Sequence, residues 1–426
     1  MTPQRLLISL SAFAALLVFA PAAPAAFPGR NGLIAFNRAK GGLWDIWVMD
    51  PSTAKEVDIT NTADIAEAQA AFSPDGRTVA FAWSPGADPG PGAPFVGAGI
   101  GMINSNGSGM RRVVTADAGQ SVAEPAWTAD GRTILFQKTD ASGSQSIWAV
   151  DAASGAQRQL TPGPNDSSPL GSPDGAHIAY FRRVAATYPN PSTQEAVGDA
   201  NGANPVAAGT NLVSDWSPDG SRFLYSLNGL YTANGFLVGI FTSAIDGSGQ
   251  TKVADLPAQD VEPEFSPDGQ SIVWTNEGSH DLWIVPAGGG QPRNLTNQTG
   301  FEFHPTWGPA APPDTTPPAG TLTGKSRQKL SKTLTVTVGC DEVCTAKVSG
   351  TVTVHRPSQS YRLPGTTQPV AAGSPTVLSL NVSKKISAAL RKALKHHLKV
   401  QAHLKVVLRD IAGNAKTLTR TLTLRL

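Results

Sequence analysis

Short apolar runs separated by turn residues recur along the first three quarters of the chain. A Ser-Pro-Asp-Gly tetrapeptide, or a close variant of it, marks one turn in each repeat. The copies begin at residues 73, 128, 172, 217 and 266, and a truncated sixth copy occupies residues 307–309. A β-branched or aromatic run follows each full copy, as in residues 78–81 (TVAF) and 271–274 (SIVW). A period of this length predicts a stacked or radial repeat protein.

The tetrapeptide itself is typical of a type I turn. Ser caps the turn, Pro fixes φ at the second position, Asp tolerates the third position, and Gly closes the turn. The rival interpretation is a row of catalytic serines or aspartates. Five regularly spaced copies favour the turn.

Each repeat contains the pattern of four short antiparallel strands. A second run such as residues 46–50 (IWVMD) ends in an acidic or Gly-rich turn, and a weaker run such as Leu295-Thr296 follows it. Four-stranded units at this spacing predict the blades of a β-propeller. The first unit lacks its first strand, and residues 303–307 supply an unpartnered strand at the other end. We therefore expect the two ends to complete one blade, which closes a ring of six without an open sheet edge.

The N-terminal residues 1–26 predict a signal peptide. Arg5 precedes an apolar run over residues 6–20, and an Ala-Pro-Ala cleavage site lies at residues 23–25. That run is shorter than the roughly 20 residues of a spanning helix. We therefore expect a secreted or extracytoplasmic protein without a transmembrane segment in the mature chain. The predicted propeller spans residues 27–308.

Residues 309–318 form a Pro-rich, semi-rigid linker, and residues 319–426 predict a small β-sandwich. Apolar and polar residues alternate along residues 333–338 and 398–406, as expected for strands. Residues 384–395 interrupt this pattern with apolar side chains four apart, which predicts a short helix. Cys340 and Cys344 are the chain's two cysteines, and export favours a disulfide between them over a metal site. Residues 341–343 must then turn.

The Ser-Pro-Asp-Gly turns, the Ile-Trp-Val-Met-Asp-like strands and the Leu-Thr endings resemble the WD40-like repeats of TolB-like six-bladed propellers. The resemblance covers roughly residues 28–309. Residues 315–426 resemble the Ig-like domains of secreted actinobacterial proteins, through Thr315-Thr316-Pro317-Pro318, the cysteine pair and residues 410–414 (DIAGN). The resemblance implies an all-β protein, a six-bladed β-propeller with a C-terminal Ig-like β-sandwich, and a binding or scaffold role. It names no ligand, because fold does not fix function.

Charge divides the chain into two unlike parts. Residues 1–318 carry a net charge of −13 and residues 319–426 carry +15, so that the whole chain has +2. A strongly basic domain binds polyanions through salt-sensitive contacts. Outside the cell the expected polyanion is an anionic cell-wall polymer or an anionic lipid surface rather than nucleic acid, and docking on the acidic propeller is the alternative. The residues expected to make either contact are Lys384, Lys385, Arg391, Lys392, Lys395 and Lys399.

Alignment of the repeats on the turn predicts two rings of side chains at the mouth of the central channel. Four residues before the turn stand Gln69, Glu124, Ser168, Val213, Glu262 and His304, and six residues before it stand Glu67, Val122, Asp166, Asn211, Asp260 and Glu302. An acidic rim focuses negative potential and attracts a cation. The binding residues predicted from these rings are Glu67, Gln69, Glu124, Asp166, Asp260, Glu262, Glu302 and His304. The expected ligand is a protein or peptide partner in the cell envelope, and a divalent cation at the channel mouth is the alternative. The interpretation without function is that these residues form an ordinary solvated acidic surface.

Signs of an enzyme are few. The sequence contains neither a G-x-S-x-G elbow nor an H-E-x-x-H motif, and no catalytic residue or required cofactor is predicted. The alternative function is a propeller-fold lyase or hydrolase acting on an envelope or extracellular substrate. Its candidate histidines are His177, His280 and His304.

Overall fold

A computed structural model describes residues 28–40, 42–86, 96–183, 193–209, 213–232, 235–255, 260–276, 278–297 and 300–426. The predicted signal peptide lies outside these residues. Strands and the turns between them make up most of the described chain, and they separate into a repeat region and a C-terminal region.

The two ends of the repeat region meet in one four-stranded sheet, as the sequence predicted. Its strands, in spatial order, are β24 (Glu302–Pro309), β1 (Asn31–Lys40), β2 (Leu43–Asp50) and β3 (Lys55–Asp58). Strands β24 and β1 run antiparallel, with Ile34 opposite Trp307. We call this sheet blade 1, and its pairing confirms that the last strand closes the ring.

Five further sheets of four strands each follow in chain order and form blades 2 to 6. Blade 2 comprises β4 (Ile65–Phe72), β5 (Thr78–Pro85), β6 (Gly99–Asn104) and β7 (Arg111–Thr115). Blade 3 comprises β8 (Ser121–Trp127), β9 (Thr133–Thr139), β10 (Gln145–Asp151) and β11 (Gln157–Gln159). Blade 4 comprises β12 (Asp166–Gly171), β13 (His177–Arg183), β14 (Thr193–Asp199) and β15 (Val206–Gly209). Blade 5 comprises β16 (Asp215–Trp216), β17 (Arg222–Thr232), β18 (Gly235–Ala244) and β19 (Thr251–Ala254), and blade 6 comprises β20 (Asp260–Phe265), β21 (Ser271–Asn276), β22 (Asp281–Pro286) and β23 (Arg293–Asn294). The predicted six-bladed β-propeller is confirmed.

The repeated tetrapeptide forms the turn between the first two strands of a blade. In blade 2, the Gly76 amide donates to the Ser73 carbonyl at 2.9 Å, and Gly76 has a φ of 68° that favours glycine. The Ser73 hydroxyl donates to Asp75 Oδ1 at 2.7 Å and accepts from the Thr78 amide at 3.0 Å. Serine and aspartate therefore hold the turn together and are not a catalytic pair.

The Leu-Thr endings also have a structural role. The hydroxyls of Thr60, Thr161 and Thr296 accept the amide protons of third-strand residues Ile46, Ile147 and Leu282, at 2.9, 3.0 and 3.1 Å. Each threonine thus holds the end of the fourth strand against its own blade.

The apolar core of the propeller lies between neighbouring blades. Between blades 2 and 3, for example, Ala82 and Ile100 pack in one cluster with Val122 and Phe136, and all four side chains are buried. Each blade therefore buries its apolar surface against the next blade, so the ring must close for every face to be covered.

Residues 320–425 fold into two sheets that share one core, as expected for a β-sandwich. The three-stranded sheet contains β25 (Gly320–Thr323), β27 (Thr333–Cys340) and β30 (Thr376–Asn381). The five-stranded sheet contains β26 (Arg327–Lys329), β32 (Ala415–Arg425), β31 (Val400–Asp410), β28 (Cys344–His355) and β29 (Ser358–Val370). Val336 from the first sheet and Val348 and Leu404 from the second belong to the same buried cluster.

The disulfide lies where the chain crosses from one sheet to the other. Cys340 ends β27 and Cys344 begins β28, with Cα atoms 6.6 Å apart. The intervening residues bend, as predicted, and the bond between the two cysteines is confirmed. This corner contacts the propeller, because the Val343 amide donates to the Asn106 carbonyl at 3.1 Å.

One helix, α1 (Lys384–Lys395), covers an end of the sandwich and has the predicted bounds. Ser383 caps it by accepting the Ile386 amide proton at 3.3 Å. Leu390 is fully buried, and Ile386 and Leu394 pack against the core. Among the described residues, no helix has the length and apolar character needed to cross a membrane.

Closure of the ring leads to a test by truncation. A chain ending at Phe301 lacks β24, and we expect its propeller to lose cooperative melting in near-UV circular dichroism, because β1 becomes an open edge and one inter-blade face is exposed. A chain ending at Pro318 lacks only the sandwich and is the matched control. Equal melting temperatures for the two truncated proteins would contradict the closure.

Candidate functional site

A bulge in the first strand recurs in five blades, at the positions predicted to line the central channel. The strand register shifts between Ala68 and Ala71 in blade 2 and between Ala123 and Ala126 in blade 3, with equivalent shifts in blades 1, 4 and 6. The residues at the bulges adopt positive φ: Gln69 at 56°, Glu124 at 54°, Ser168 at 51°, Glu262 at 58° and His304 at 52°. These are positions of the ring predicted four residues before the turn, and we call them the inner ring. Because positive φ is uncommon for such residues, its recurrence shows one shared local structure.

Side chains of the inner ring bind the backbone of the next blade. Gln69 Oε1 accepts the Glu124 amide proton at 3.0 Å, and Glu124 Oε2 accepts the Ser168 amide proton at 2.7 Å. On the other side of the ring, Glu262 Oε2 contacts His304 Nδ1. The inner ring therefore links neighbouring blades while it lines the channel.

Two further carboxylates lie deeper in the channel, two residues before the turn. Asp215 Oδ2 accepts the Phe265 amide proton at 2.8 Å, and Glu264 Oε2 accepts the Trp307 amide proton at 3.0 Å. Both line a cavity of about 90 Å³, together with residues at the ends of the first strands of all six blades. Desolvation raises the pKa of Asp215 to about 7, and desolvation and the nearby Asp215 raise the pKa of Glu264. The two carboxyls titrate as a pair.

The inner ring carries a linked set of charges. Glu124 of blade 3 and Glu262 of blade 6 are three blades apart and so face each other across the channel. Desolvation raises the pKa of Glu124, and repulsion by Glu262 raises it further. Desolvation lowers the pKa of His304, but attraction to Glu262 and Glu124 outweighs this effect, so its pKa is raised. The side chains of His304 and Glu262 remain 34% and 41% exposed.

The ring predicted six residues before the turn occupies a different environment. Glu67, Asp166 and Glu302 are at most 1% exposed and have partners near the edge of the blade. Glu302 Oε1 accepts from Arg38 Nε at 2.9 Å, and Asp166 Oδ1 accepts from Arg182 Nε at 2.7 Å. These carboxylates are engaged within the fold, and the side chain of Asp260 lies outside the described part of the chain.

Glu67 is the member of that ring without an arginine partner among the described contacts. Its Oε1 accepts from the Thr62 hydroxyl at 2.9 Å, and desolvation raises its pKa to about 8. Near neutral pH this carboxyl is therefore largely protonated, and it adds little negative charge to the channel.

The three candidate histidines are not brought together. His304 lies in the inner ring against Glu262. His280 packs its ring against Phe301 and Phe303, with centroids 4.6 and 5.5 Å away. His177 begins β13 beside the turn of blade 4 and is exposed. His304 is therefore the histidine that the fold holds against a channel carboxylate.

The basic residues predicted to contact a polyanion lie on one helix and just after it. All six side chains are exposed, and none of them forms an ion pair within the described residues. They take no part in the contact between sandwich and propeller that Asn106 and Val343 make. The six residues are Lys384, Lys385, Arg391, Lys392, Lys395 and Lys399.

Sequence reasoning missed Asp215 and Glu264, although a signal for them was present. The two predicted rings stand six and four residues before the turn, and a strand's period of two places a further ring two residues before it. That ring contains Asp215 and Glu264. The sequence did not show that these two carboxylates lie side by side in neighbouring blades.

Comparisons with known proteins agree with this geometry. Residues 14–190 match the family model described as the TolB beta propeller domain. The structure of TolB from Acinetobacter baumannii is similar with a TM-score of 0.52 and 18% identity, over 66% of this chain and 68% of that one. The fold is therefore that of a TolB-like β-propeller, and the predicted resemblance is confirmed.

Two other solved structures are more distant. The nidogen/laminin complex matches with a TM-score of 0.49 and 11% identity, over 65% of this chain and 99% of that one. An oligogalacturonate lyase in complex with manganese matches with a TM-score of 0.43 and 13% identity, over 64% and 77%. Because one fold can host unrelated functions, the site and not the fold must decide between binding and catalysis.

The carboxylate pair in the channel leads to a prediction about pH. Unfolded aspartate and glutamate have pKa values near 4. Because burial raises the folded pKa values of Asp215 and Glu264, their contribution to stability is full below about pH 4 and is lost as the pH rises through those folded pKa values, about 7 for Asp215. We expect Glu264→Gln to melt at a higher temperature than the parent protein at pH 8 and to lose this advantage at pH 5, since Gln still accepts the Trp307 amide proton.

Calorimetric melting between pH 5 and 8 measures this effect. Asp117→Asn, which removes an exposed carboxylate, is the matched control and should follow the parent curve. If Glu264→Gln lost stability equally at all pH values, the prediction would be wrong, and the carboxylate would act only as a hydrogen-bond acceptor for the Trp307 amide.

Proposed function

We propose that this is an exported, non-catalytic binding protein of the cell envelope, whose propeller binds a basic peptide segment of a protein partner at the channel mouth. The observation that carries the proposal is the convergence of Glu124, Glu262, Asp215 and Glu264 on one channel, with His304 as the one basic group among the described residues at these positions.

The electrostatics of the channel favour a cationic ligand. Carboxylates that line a narrow opening with low-dielectric walls focus negative potential there and raise the local concentration of cations. Desolvation, and then repulsion between Glu124 and Glu262 and between Asp215 and Glu264, raises the pKa values of Glu124 and Glu264, so protons neutralise part of this charge while the channel is empty. A lysine or arginine entering the channel replaces those protons and pairs with the carboxylates.

The position of the sandwich leaves this mouth accessible. The sandwich is hydrogen-bonded to Asn106, in the turn between the third and fourth strands of blade 2, and it shares a cavity with β2 and β3, the outer strands of blade 1. In a four-stranded meander that turn lies on the same face as the Ser-Pro-Asp-Gly turns, opposite the start of the first strands. A partner can therefore approach the inner ring without displacing the sandwich.

A divalent cation at the channel mouth is less favoured than a peptide. In the described part of the chain, no three acidic or histidine side chains of the channel bring ligand atoms within 4.8 Å of one another. Calcium needs six to eight oxygen ligands around one point. Lysine and arginine, in contrast, can pair with separate carboxylates along the channel.

Binding by the channel can be tested with Glu124→Gln/Glu262→Gln. Glutamine retains the acceptor for the Ser168 amide, so we expect the fold to persist and the affinity for a labelled lysine- and arginine-rich peptide to fall at least about tenfold, the equivalent of 1.4 kcal/mol. Fluorescence anisotropy measures the affinity, and pull-down from cell-envelope fractions extends it to natural partners.

Asp151→Asn/Asp246→Asn is the matched control for this variant. It removes two exposed charges from turns on the opposite face, where asparagine still accepts the same turn amides. The channel proposal fails if both double variants bind the peptide as the parent protein does.

An enzyme is the second candidate function, and the contact between His304 and Glu262 is the observation that favours it. A histidine whose pKa is raised by a carboxylate can transfer protons. On this alternative, a lyase or hydrolase activity on envelope or extracellular glycans, peptides or esters would disappear in His304→Gln while peptide binding remained. We favour the binding function because several carboxylates converge on the channel, whereas the enzyme alternative rests on this single contact.

For the C-terminal domain we propose an Ig-like sandwich that associates with an anionic cell-wall polymer. The order of its strands, β25-β27-β30 against β26-β32-β31-β28-β29, and its parallel pair β26 and β32 support the first part. The exposed basic cluster on and after α1 supports the second part. Export is supported by the predicted signal peptide and by the disulfide, which is typical of oxidising compartments.

Wall association predicts salt-sensitive sedimentation. We expect the mature protein to sediment with purified cell walls at low salt and to be released at about 0.5 M salt, where the Debye length falls to roughly 4 Å. Replacement of Lys384, Lys385, Arg391 and Lys392 by Gln should abolish this sedimentation. The control makes the same change at four other exposed lysines, Lys325, Lys329, Lys347 and Lys416. If both variants lost sedimentation equally, the binding would depend on the net charge of the domain and not on the cluster at α1.

A further inference from the structure

Acidic residues are rare in the C-terminal part of the chain, yet three of them meet at one point. Residues 319–426 contain three acidic residues, Asp341, Glu342 and Asp410, and the linker contributes Asp314. Ligand oxygens of Asp314, Glu342 and Asp410 lie within 4.8 Å of one another. Three separate segments bring them there: the linker, the disulfide corner and the end of β31.

Two of these carboxylates are buried, and one oxygen has no partner. Glu342 and Asp410 are 5% and 6% exposed. Glu342 Oε2 accepts from Asn106 Nδ2 at 2.8 Å, and Asp410 Oδ1 accepts the Asn414 amide proton at 2.8 Å. Asp410 Oδ2 is buried and has no hydrogen-bond partner among the described residues. A buried carboxylate oxygen without a donor is costly unless a cation approaches it.

No described basic side chain pairs directly with this cluster. No lysine, arginine or histidine of the described chain forms an ion pair with any of its three members. Burial and repulsion by Asp410, Asp314 and Asp341 raise the pKa of Glu342 to about 7. The three carboxylates therefore meet without a salt bridge to hold them together.

We propose that Asp314, Glu342 and Asp410 form a calcium site at the junction between the linker, the sandwich and the propeller. All the ligands are hard oxygen donors, which suit calcium and magnesium rather than softer metals. Two oxygens that share one calcium ion at about 2.4 Å lie no more than about 4.8 Å apart, and the ligand oxygens of the cluster lie within that limit. Calcium is favoured over magnesium because magnesium demands near-ideal octahedral geometry and gives up its water reluctantly, whereas calcium accepts irregular sets of carboxylates. Asp314 is only partly buried, which leaves room for water ligands on its side.

Such an ion would join three segments that already meet through hydrogen bonds. Asn414 Nδ2 donates to the Asp314 carbonyl at 3.0 Å, which ties the linker to the turn after β31. Asn106 belongs to the propeller and holds Glu342 and Val343 at the disulfide corner. Calcium at this point therefore fixes the linker against the sandwich and, through Asn106, sets the orientation of the sandwich on the propeller.

Isothermal titration of the mature protein with calcium, after removal of metals by a chelator, tests this site. We expect one calcium ion per chain with a Kd of about 10⁻⁴ to 10⁻³ M, the range of extracellular modules. Asp410→Asn and Glu342→Gln should each weaken binding at least tenfold. Asp341→Asn removes a neighbouring exposed carboxylate and is the matched control, which should bind as the parent does.

Melting with and without calcium provides a second measurement that separates a ligand from a structural residue. Without calcium, Asp410→Asn should melt at or above the temperature of the parent protein, because one repulsive charge is gone and Asn still accepts the Asn414 amide proton. With 10 mM calcium only the parent and Asp341→Asn should gain stability. The proposal is overturned if the parent protein binds no calcium at 10 mM, if it binds magnesium as tightly, or if Asp341→Asn loses binding as Asp410→Asn does.

This site is independent of the channel. Glu124→Gln/Glu262→Gln should retain calcium binding in full, so the peptide-binding function and the calcium site can fail separately.

Discussion

The antiparallel pairing of β24 with β1 is the contact on which the propeller depends. Each blade buries its apolar face against its neighbours, and no blade has a core of its own. Without β24, blade 1 would have three strands, and β1 would be an open sheet edge. Closure of the propeller therefore requires a contact between residues that are separated by most of the propeller sequence. The Ser-Pro-Asp-Gly turns and the threonines at the ends of the fourth strands stabilise single blades and do not close the ring.

The channel shows how the same residues serve the fold and the site. At two of the bulges, those of Gln69 and Glu124, the side chain accepts an amide proton from the next blade. The carboxylates are thereby oriented by the scaffold, and the charge that remains in the channel is fixed in place. Such preorganisation is what a binding site for a cationic segment requires, because little reorganisation opposes binding. Replacing such a carboxylate by alanine would remove both the amide acceptor and the charge. Replacement by glutamine keeps the acceptor and removes only the charge, so it separates the structural role from the binding role.

The two parts of the chain manage charge differently. The propeller concentrates carboxylates in an enclosed channel, where desolvation and mutual repulsion raise their pKa values. The sandwich spreads its basic side chains over exposed surface and gathers two of its few carboxylates at the linker. The hydrogen bonds between the parts are made by Asn106, Glu342 and Val343, and the outer strands of blade 1 share a cavity with the sandwich. The six basic residues on and after α1 take no part in these hydrogen bonds and remain exposed.

Local sequence determined the blades, because turn chemistry and strand periodicity act over a few residues. The Ser-Pro-Asp-Gly turns, the Leu-Thr endings, the bounds of α1 and the disulfide followed from residues near each other in the chain, and counting strands at the two ends gave the closure. The environment of each channel carboxylate was decided by the tertiary structure. Glu67 and Glu124 were both predicted to line the channel mouth, in rings six and four residues before the turn, yet Glu67 is buried against Thr62 whereas Glu124 lies at a bulge in the inner ring. Asp215 and Glu264, and likewise Asp314, Glu342 and Asp410, became neighbours only when distant segments packed together, since desolvation and repulsion depend on distance in space and not on spacing along the chain.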